Sequence, residues 1–124
     1  MMPLQLRGKI LCVEGDRAVL RSLVFGLETY RFEVVSAVHG GYALDAFHSH
    51  DGKFDAVLTD HDMPQVNGLA LVNYLRAFHF TGQIWIMSGH LTALDREAYR
   101  ELAISGFLQK PFDPSLLAEL FLSK

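Results

Sequence analysis

The chain alternates, five times over, between a short apolar run of strand length and a segment whose apolar residues recur at helical steps. The runs are Lys9 to Val13, Glu33 to Ala37, Phe54 to Thr59, Gln83 to Met87 and Gly106 to Gln109, rich in Val, Ile and Leu. Several are apolar nearly throughout instead of alternating, the pattern of parallel strands covered on both faces. Helices are predicted over Asp16 to Tyr30 (Leu20, Leu23, Val24, Leu27), Gly41 to His50 (Ala43, Leu44, Phe47) and Gly68 to Phe78 (Leu71, Val72, Leu75). Two more are predicted over Thr92 to Ala103 (Leu94, Ala98, Leu102) and Asp113 to Leu122 (Leu116, Leu117, Leu120, Phe121). Helical connections of this length suit crossovers between parallel strands. The expected fold is α/β, a doubly wound five-stranded parallel sheet with right-handed βαβ units and helices on both faces.

Composition bounds what such a sheet can serve. At 124 residues the chain has room for one domain, expected over 8–124, with Met1 to Arg7 as a frayed start. Half the residues are hydrophobic and a fifth charged, a globular balance. Eleven Lys and Arg against 14 Asp and Glu give a formal charge of -3 with no basic cluster longer than two residues, which argues against nucleic-acid or membrane binding. The one cysteine, Cys12, lies inside an apolar run and has no internal partner, which points to a reducing cytoplasm. No apolar stretch approaches the roughly 18 residues a membrane span requires, and the start is too short and too weakly apolar for a signal peptide.

The reactive side chains fall at strand ends. Glu14 follows the first strand, Asp60 the third, Ser88 the fourth and Lys110 the fifth. In an open parallel sheet these carboxyl ends share one edge, where ligands bind, so the four residues are expected to converge. Two carboxylates about 4 Å apart repel by roughly 4 kcal/mol at an effective dielectric of 20. A divalent cation relieves that repulsion, and hard carboxylate and carbonyl oxygens suit Mg²⁺. A lysine and a hydroxyl beside it can hold phosphoryl oxygens. Positioning and charge neutralisation are most of what phosphoryl transfer requires, and a carboxylate can serve as the covalent acceptor. The predicted chemistry is an aspartyl phosphate.

The segments VEGDRAVLRSL, VLTDHDMPQVNGLALV, IWIMSGH and GFLQKPF resemble the four successive motifs of response regulator receiver domains, in order and at the family's spacing, over about residues 8 to 123. The resemblance implies a flavodoxin-like sheet of order 2-1-3-4-5, with Asp60 as phosphoacceptor in a two-component system or phosphorelay. It also implies that Ser88 and Lys110 bind the phosphoryl group, that Gly68 closes the loop after Asp60, and that the Lys110–Pro111 bond is cis. Mg²⁺ is the implied cofactor, held by Glu14, Asp60 and the Asp62 backbone carbonyl. Phe107 stands where the family often carries the aromatic ring that turns inward on phosphorylation, which makes Ser88 and Phe107 the implied switch pair. Asp62 and His90 fall where the family tunes acyl-phosphate lifetime. A histidine kinase or histidine phosphotransfer protein is the implied donor, and the face of the last two helices and last strand is the implied surface for a downstream partner or dimer.

One position departs from the pattern. The family places two adjacent acidic residues after the first strand, whereas here the pair reads Glu14 and Gly15, so the usual direct metal ligand is missing. Asp16 is the next candidate, either reaching the metal or capping the helix behind it. Mg²⁺ is therefore expected to bind weakly. Ser88 replaces the commoner threonine and keeps the hydroxyl. His39, His48, His50, His61 and His79 show no metal-ligand spacing and read as solvated surface, with His61 singled out for its place beside Asp60.

Three functions compete. The first is a phosphorylation-driven switch, a phosphoacceptor rather than an enzyme with an external substrate. Gly15 supports a second, a degenerate receiver that binds partners without phosphorylation. The third is a phosphatase of the haloacid dehalogenase type, suggested by the D-x-D of Asp60 and Asp62. That motif normally follows the first strand and is joined by a late acidic pair, which the closing region lacks.

Overall fold

A computed structural model of the chain describes residues 6–122. Five strands and five helices alternate: β1 (Gly8–Val13), α1 (Arg17–Thr29), β2 (Phe32–Ala37), α2 (Gly40–Ser49), β3 (Ala56–Asp60), α3 (Gly68–Ala77), β4 (Gln83–Ser88), α4 (Ala93–Arg100), β5 (Gly106–Gln109) and α5 (Pro114–Leu122). The strands form one parallel sheet in the order β2-β1-β3-β4-β5, the order the resemblance implies.

Strand burial explains the apolar runs. β3 is buried along its whole length, and β4 is buried from Ile84 to Ser88. Leu11, Val13, Val57, Ile84 and Ile86 pack on one face against α2 and α3, with Tyr99 of α4. Ile10, Cys12, Ala56, Leu58, Trp85 and Met87 pack on the other against Leu20, Leu23 and Leu27 of α1 and Leu117 of α5. Successive strand residues thus serve opposite layers, as the two-residue period of a strand requires. Local side chains set the helix starts. Asp16 Oδ1 accepts from the N–H groups of Ala18 and Val19 at 2.9 and 3.1 Å, Asn67 Oδ1 from Ala70, and Thr92 with Asp95 closes a capping box on α4.

The expected helix over Thr92 to Ala103 is corrected in extent and in phase. α4 stops at Arg100, buries only Tyr99, and leaves Leu94 84% exposed. Its predicted stripe of Leu94, Ala98 and Leu102 is therefore not the buried one. Beyond the stop the chain tightens into turns, the Leu102 N–H donating to the Tyr99 carbonyl and the Ala103 N–H to the Arg100 carbonyl; the Arg76 guanidinium donates to the carbonyls of Leu102 (2.9 Å) and Ala103 (3.0 Å), and Ala103 turns to φ 55°.

Some histidines expected to be solvated surface have structural partners. His39 Nδ1 caps α2 by accepting from the Tyr42 N–H, His48 meets the Tyr74 hydroxyl at 2.9 Å, and His50 meets Lys9 Nζ at 2.8 Å. Residues 1–5 of the expected frayed start lie outside the described residues, and the Arg7 N–H donates to the Arg31 carbonyl. Among the described residues no helix is long and apolar enough to cross a membrane.

Candidate functional site

Apart from aromatic and thiol groups, the polar side chains buried among the described residues are those of Glu14, Thr59, Asp60 and Ser88, all at the carboxyl edge of the sheet. Topology brings them there. Glu14 follows β1, Asp60 ends β3, Ser88 ends β4 and Lys110 follows β5. The registers that pair Val13 with Thr59, Asp60 with Met87, and Ser88 with Gln109 set these ends at nearly one level. The core beneath is apolar, so carboxylates at this edge lose most of their hydration.

Lys110 bridges the two acids. Its ammonium pairs with Glu14 Oε1 and lies 3.3 Å from Asp60 Oδ2. Burial, and then repulsion from Glu14, hold the Asp60 carboxyl above the ordinary aspartate range despite Lys110. Burial pulls the Lys110 ammonium down, but its hydrogen bonds and ion pairs with Glu14 and Asp60 outweigh that and leave it above the usual lysine range. Beneath them, burial and then Glu14 push the Cys12 thiol up to about 12, so this cysteine is an inert core residue.

The loop after Asp60 is tightly held. The Asp62 N–H donates to Asp60 Oδ1 at 3.3 Å, Thr59 Oγ1 donates to the Asp60 carbonyl at 3.1 Å, and the Gly68 N–H donates to the His61 carbonyl at 3.0 Å. A Cβ on Gly68 would meet the Asp60 carbonyl at 2.7 Å, so only glycine fits at this start of α3. The Lys110–Pro111 bond is cis, and the Lys110 N–H donates to the Ser88 carbonyl. Ser88 Oγ turns to the loop beyond β4, donating to the His90 carbonyl at 2.8 Å and accepting from the His90 N–H at 3.0 Å. The His90 and Asp62 residues themselves are exposed.

The donor set fits a hard cation but is a small one. Two buried carboxylates face one ammonium, which leaves a net negative charge among oxygen donors. Among the described residues no third Asp, Glu, His or Cys joins them to make a metal-binding group. Gly15 brings no side chain to the group, and the Asp16 carboxylate caps α1 while its N–H donates to Glu14 Oε2 at 2.9 Å.

Phe107 is half-buried on β5, beside a cleft of about 270 Å³ lined also by Ser88, His90 and Arg96. The Arg96 guanidinium lies 4.9 Å from its ring centre and the Tyr99 ring meets it edge-on at 6.0 Å. Three contributors to this edge carry little signal in the sequence. Thr59 looks like any strand residue, Tyr99 lies outside the expected stripe of α4, and the contact of His61 with Tyr99 joins residues 38 apart. A tyrosine one residue off an apolar stripe was the only signal available.

The family described as Response regulator receiver domain matches residues 10–121. The chain is 36% identical over 112 residues to the transcriptional regulatory protein PrrA of Mycobacterium tuberculosis, covering 90% of this chain and 46% of that protein. It is 36% identical over 113 residues to the transcriptional regulatory protein CpxR of Escherichia coli, covering 90% of this chain and 47% of that protein. It thus spans about half the length of these curated relatives. Among solved structures, a response regulator receiver domain protein from Clostridium thermocellum superposes with a TM-score of 0.85 at 23% identity, over 93% of this chain and 91% of that one, a likeness of fold.

Proposed function

From the premise that this chain belongs to the response regulator receiver domain family, we propose that Asp60 accepts a phosphoryl group from a histidine kinase or histidine phosphotransfer protein and so switches a partner-binding surface. The observation that carries the reading is the buried convergence of Asp60, Glu14 and Lys110 on one sheet edge, with Ser88 ending the adjacent strand. In the transfer the N–P bond of the donor phosphohistidine breaks as an Asp60 oxygen bonds to phosphorus, and the imidazole leaves with the electron pair. Lys110 already spans both carboxylates and is placed to pair with an incoming phosphoryl oxygen. Ser88, once its hydroxyl leaves the His90 backbone, supplies a second contact, and Phe107 has the neighbouring cleft to move into.

Mg²⁺, when bound, supplies the charge neutralisation that lets an anionic phosphoryl group approach two carboxylates. Glu14, Asp60 and the Asp62 carbonyl would hold it, and the loss of a carboxylate at Gly15 makes its binding weak. Asp62 and His90, exposed beside Asp60 and Ser88, tune the lifetime of the acyl phosphate. The fully buried Cys12 suits a reducing cytoplasm. The face of α4, β5 and α5 is the surface offered to a downstream protein or a second copy.

Gly15 favours one other reading, a receiver that binds its partner without phosphorylation. Incubation with acetyl phosphate and Mg²⁺ followed by intact mass separates the two. A phosphate-sized gain that an Asp60→Ala control lacks is expected; no gain at high Mg²⁺ would favour the phosphorylation-independent reading.

A further inference from the structure

α4 is weakly seated by ordinary measures. α3 buries Gly68, Leu71, Val72 and Leu75, whereas α4 buries Tyr99 alone. A short helix that buries a single side chain belongs among the less stable parts of a fold. That side chain runs toward the phosphoacceptor loop: the Tyr99 hydroxyl lies 2.6 Å from His61 Nδ1, and His61 directly follows Asp60. One turn earlier on the same helix face, Asp95 Oδ2 lies 3.6 Å from His61 Nε2. The imidazole, only 12% exposed, is gripped between two residues of α4 through its two ring nitrogens.

The surroundings match this grip. The Tyr99 hydroxyl occupies a niche that a Cβ on Gly68 would invade at 2.7 Å, while Gly68 also packs on the Asp60 carbonyl. Burial, followed by Asp95, Asp62 and Asp60, pushes the Tyr99 phenol up, so it stays a neutral hydrogen-bonding group. The other edge of α4 reaches Phe107: the Tyr99 ring meets it edge-on and Arg96 lies over its face.

We propose that His61 is a positioning residue, clamped by Asp95 and Tyr99, that ties α4 to the Asp60 loop and carries the state of Asp60 to α4 by a route separate from Ser88. The inference rests on Asp60 being the phosphoacceptor. A shift of the Asp60–Asp62 backbone moves the imidazole, and the imidazole moves the only buried anchor of α4.

The test is amide hydrogen exchange over Ala93–Arg100 in wild type, Tyr99→Phe, His61→Ala and the double variant, each with and without acetyl phosphate and Mg²⁺, alongside intact mass. Without donor, Tyr99→Phe is expected to speed exchange across α4 by roughly three- to tenfold, the loss of about one hydrogen bond, His61→Ala by at least as much because it also loses the Asp95 contact, and the double variant no more than His61→Ala. Additive effects, or unchanged exchange in Tyr99→Phe, overturn the clamp. With donor, Tyr99→Phe is expected to gain the phosphate-sized mass yet lose the exchange response that wild-type α4 shows; a wild-type response in the variant overturns the coupling. If wild type gains no mass, the assignment of Asp60 fails instead, and the donor-free comparison still decides the clamp.

Discussion

The two edges of the sheet hold similar charges and treat them oppositely. At the amino edge Lys9 meets His50 at 2.8 Å and Glu33 at 3.9 Å and lies over the Phe54 ring, while Asp55 accepts the Lys9 N–H. Lys9 and Glu33 keep 24% and 51% of their side-chain exposure, so water screens what pairing leaves over. At the carboxyl edge Glu14 and Asp60 keep 3% and 7%, and one ammonium serves both. The amino edge is electrostatically finished. The carboxyl edge carries an imbalance that the fold tolerates, and a site for a multiply charged group requires just such an imbalance.

Removing the cation from each edge tests the contrast most directly. Lys110→Ala is expected to cost about 3 kcal/mol at pH 7, the lower end for breaking a buried pair because Lys110 keeps 28% of its side-chain exposure; urea unfolding measures it. A cost no larger than that of a surface pair would erase the distinction between the edges.

A smaller change of opposite sign is expected for Asp60→Asn. Because the folded carboxyl sits above its unfolded value, Asp60 contributes stability only below the ordinary aspartate range and loses it as pH rises through the folded value. Ionised Asp60 is therefore destabilising at pH 7, and the asparagine variant should unfold at higher urea there. The advantage should vanish in acid, and a variant less stable than wild type at pH 7 would contradict the imbalance. Lys9→Ala gives the smallest effect, about 0.2–1 kcal/mol as for partly exposed pairs, read by the same titration.

What the sequence disclosed and what it concealed divide by the range of the interactions. β5 was legible to the residue because its four residues are framed by Gly106 and by Lys110–Pro111, and the start of α1 was legible because Asp16 is a local cap. The end of α4 was not. No glycine or proline marks Arg100, and the carbonyls just beyond it are held by Arg76, which is remote in sequence and adjacent in space. The site behaved alike. Asp60, Glu14, Ser88 and Lys110 announce themselves through polarity at the ends of apolar runs. Thr59 and Tyr99 do not, since a threonine in a strand and a tyrosine in a helix read as packing until their hydroxyls are placed.

Arg76 has a mechanical consequence. Its guanidinium holds the carbonyls of Phe80 and Gly82 at the entry to β4 and those of Leu102 and Ala103 at the exit of α4. The end of α4 is thereby riveted to the frame, while its beginning meets the frame through the capping-box residue Asp95 and the His61 ring. A rod fixed at one end has no freedom to slide along its axis; it can only swing. Any displacement that begins near Asp60 must therefore grow toward the first turn of α4, where Leu94 already points into solvent.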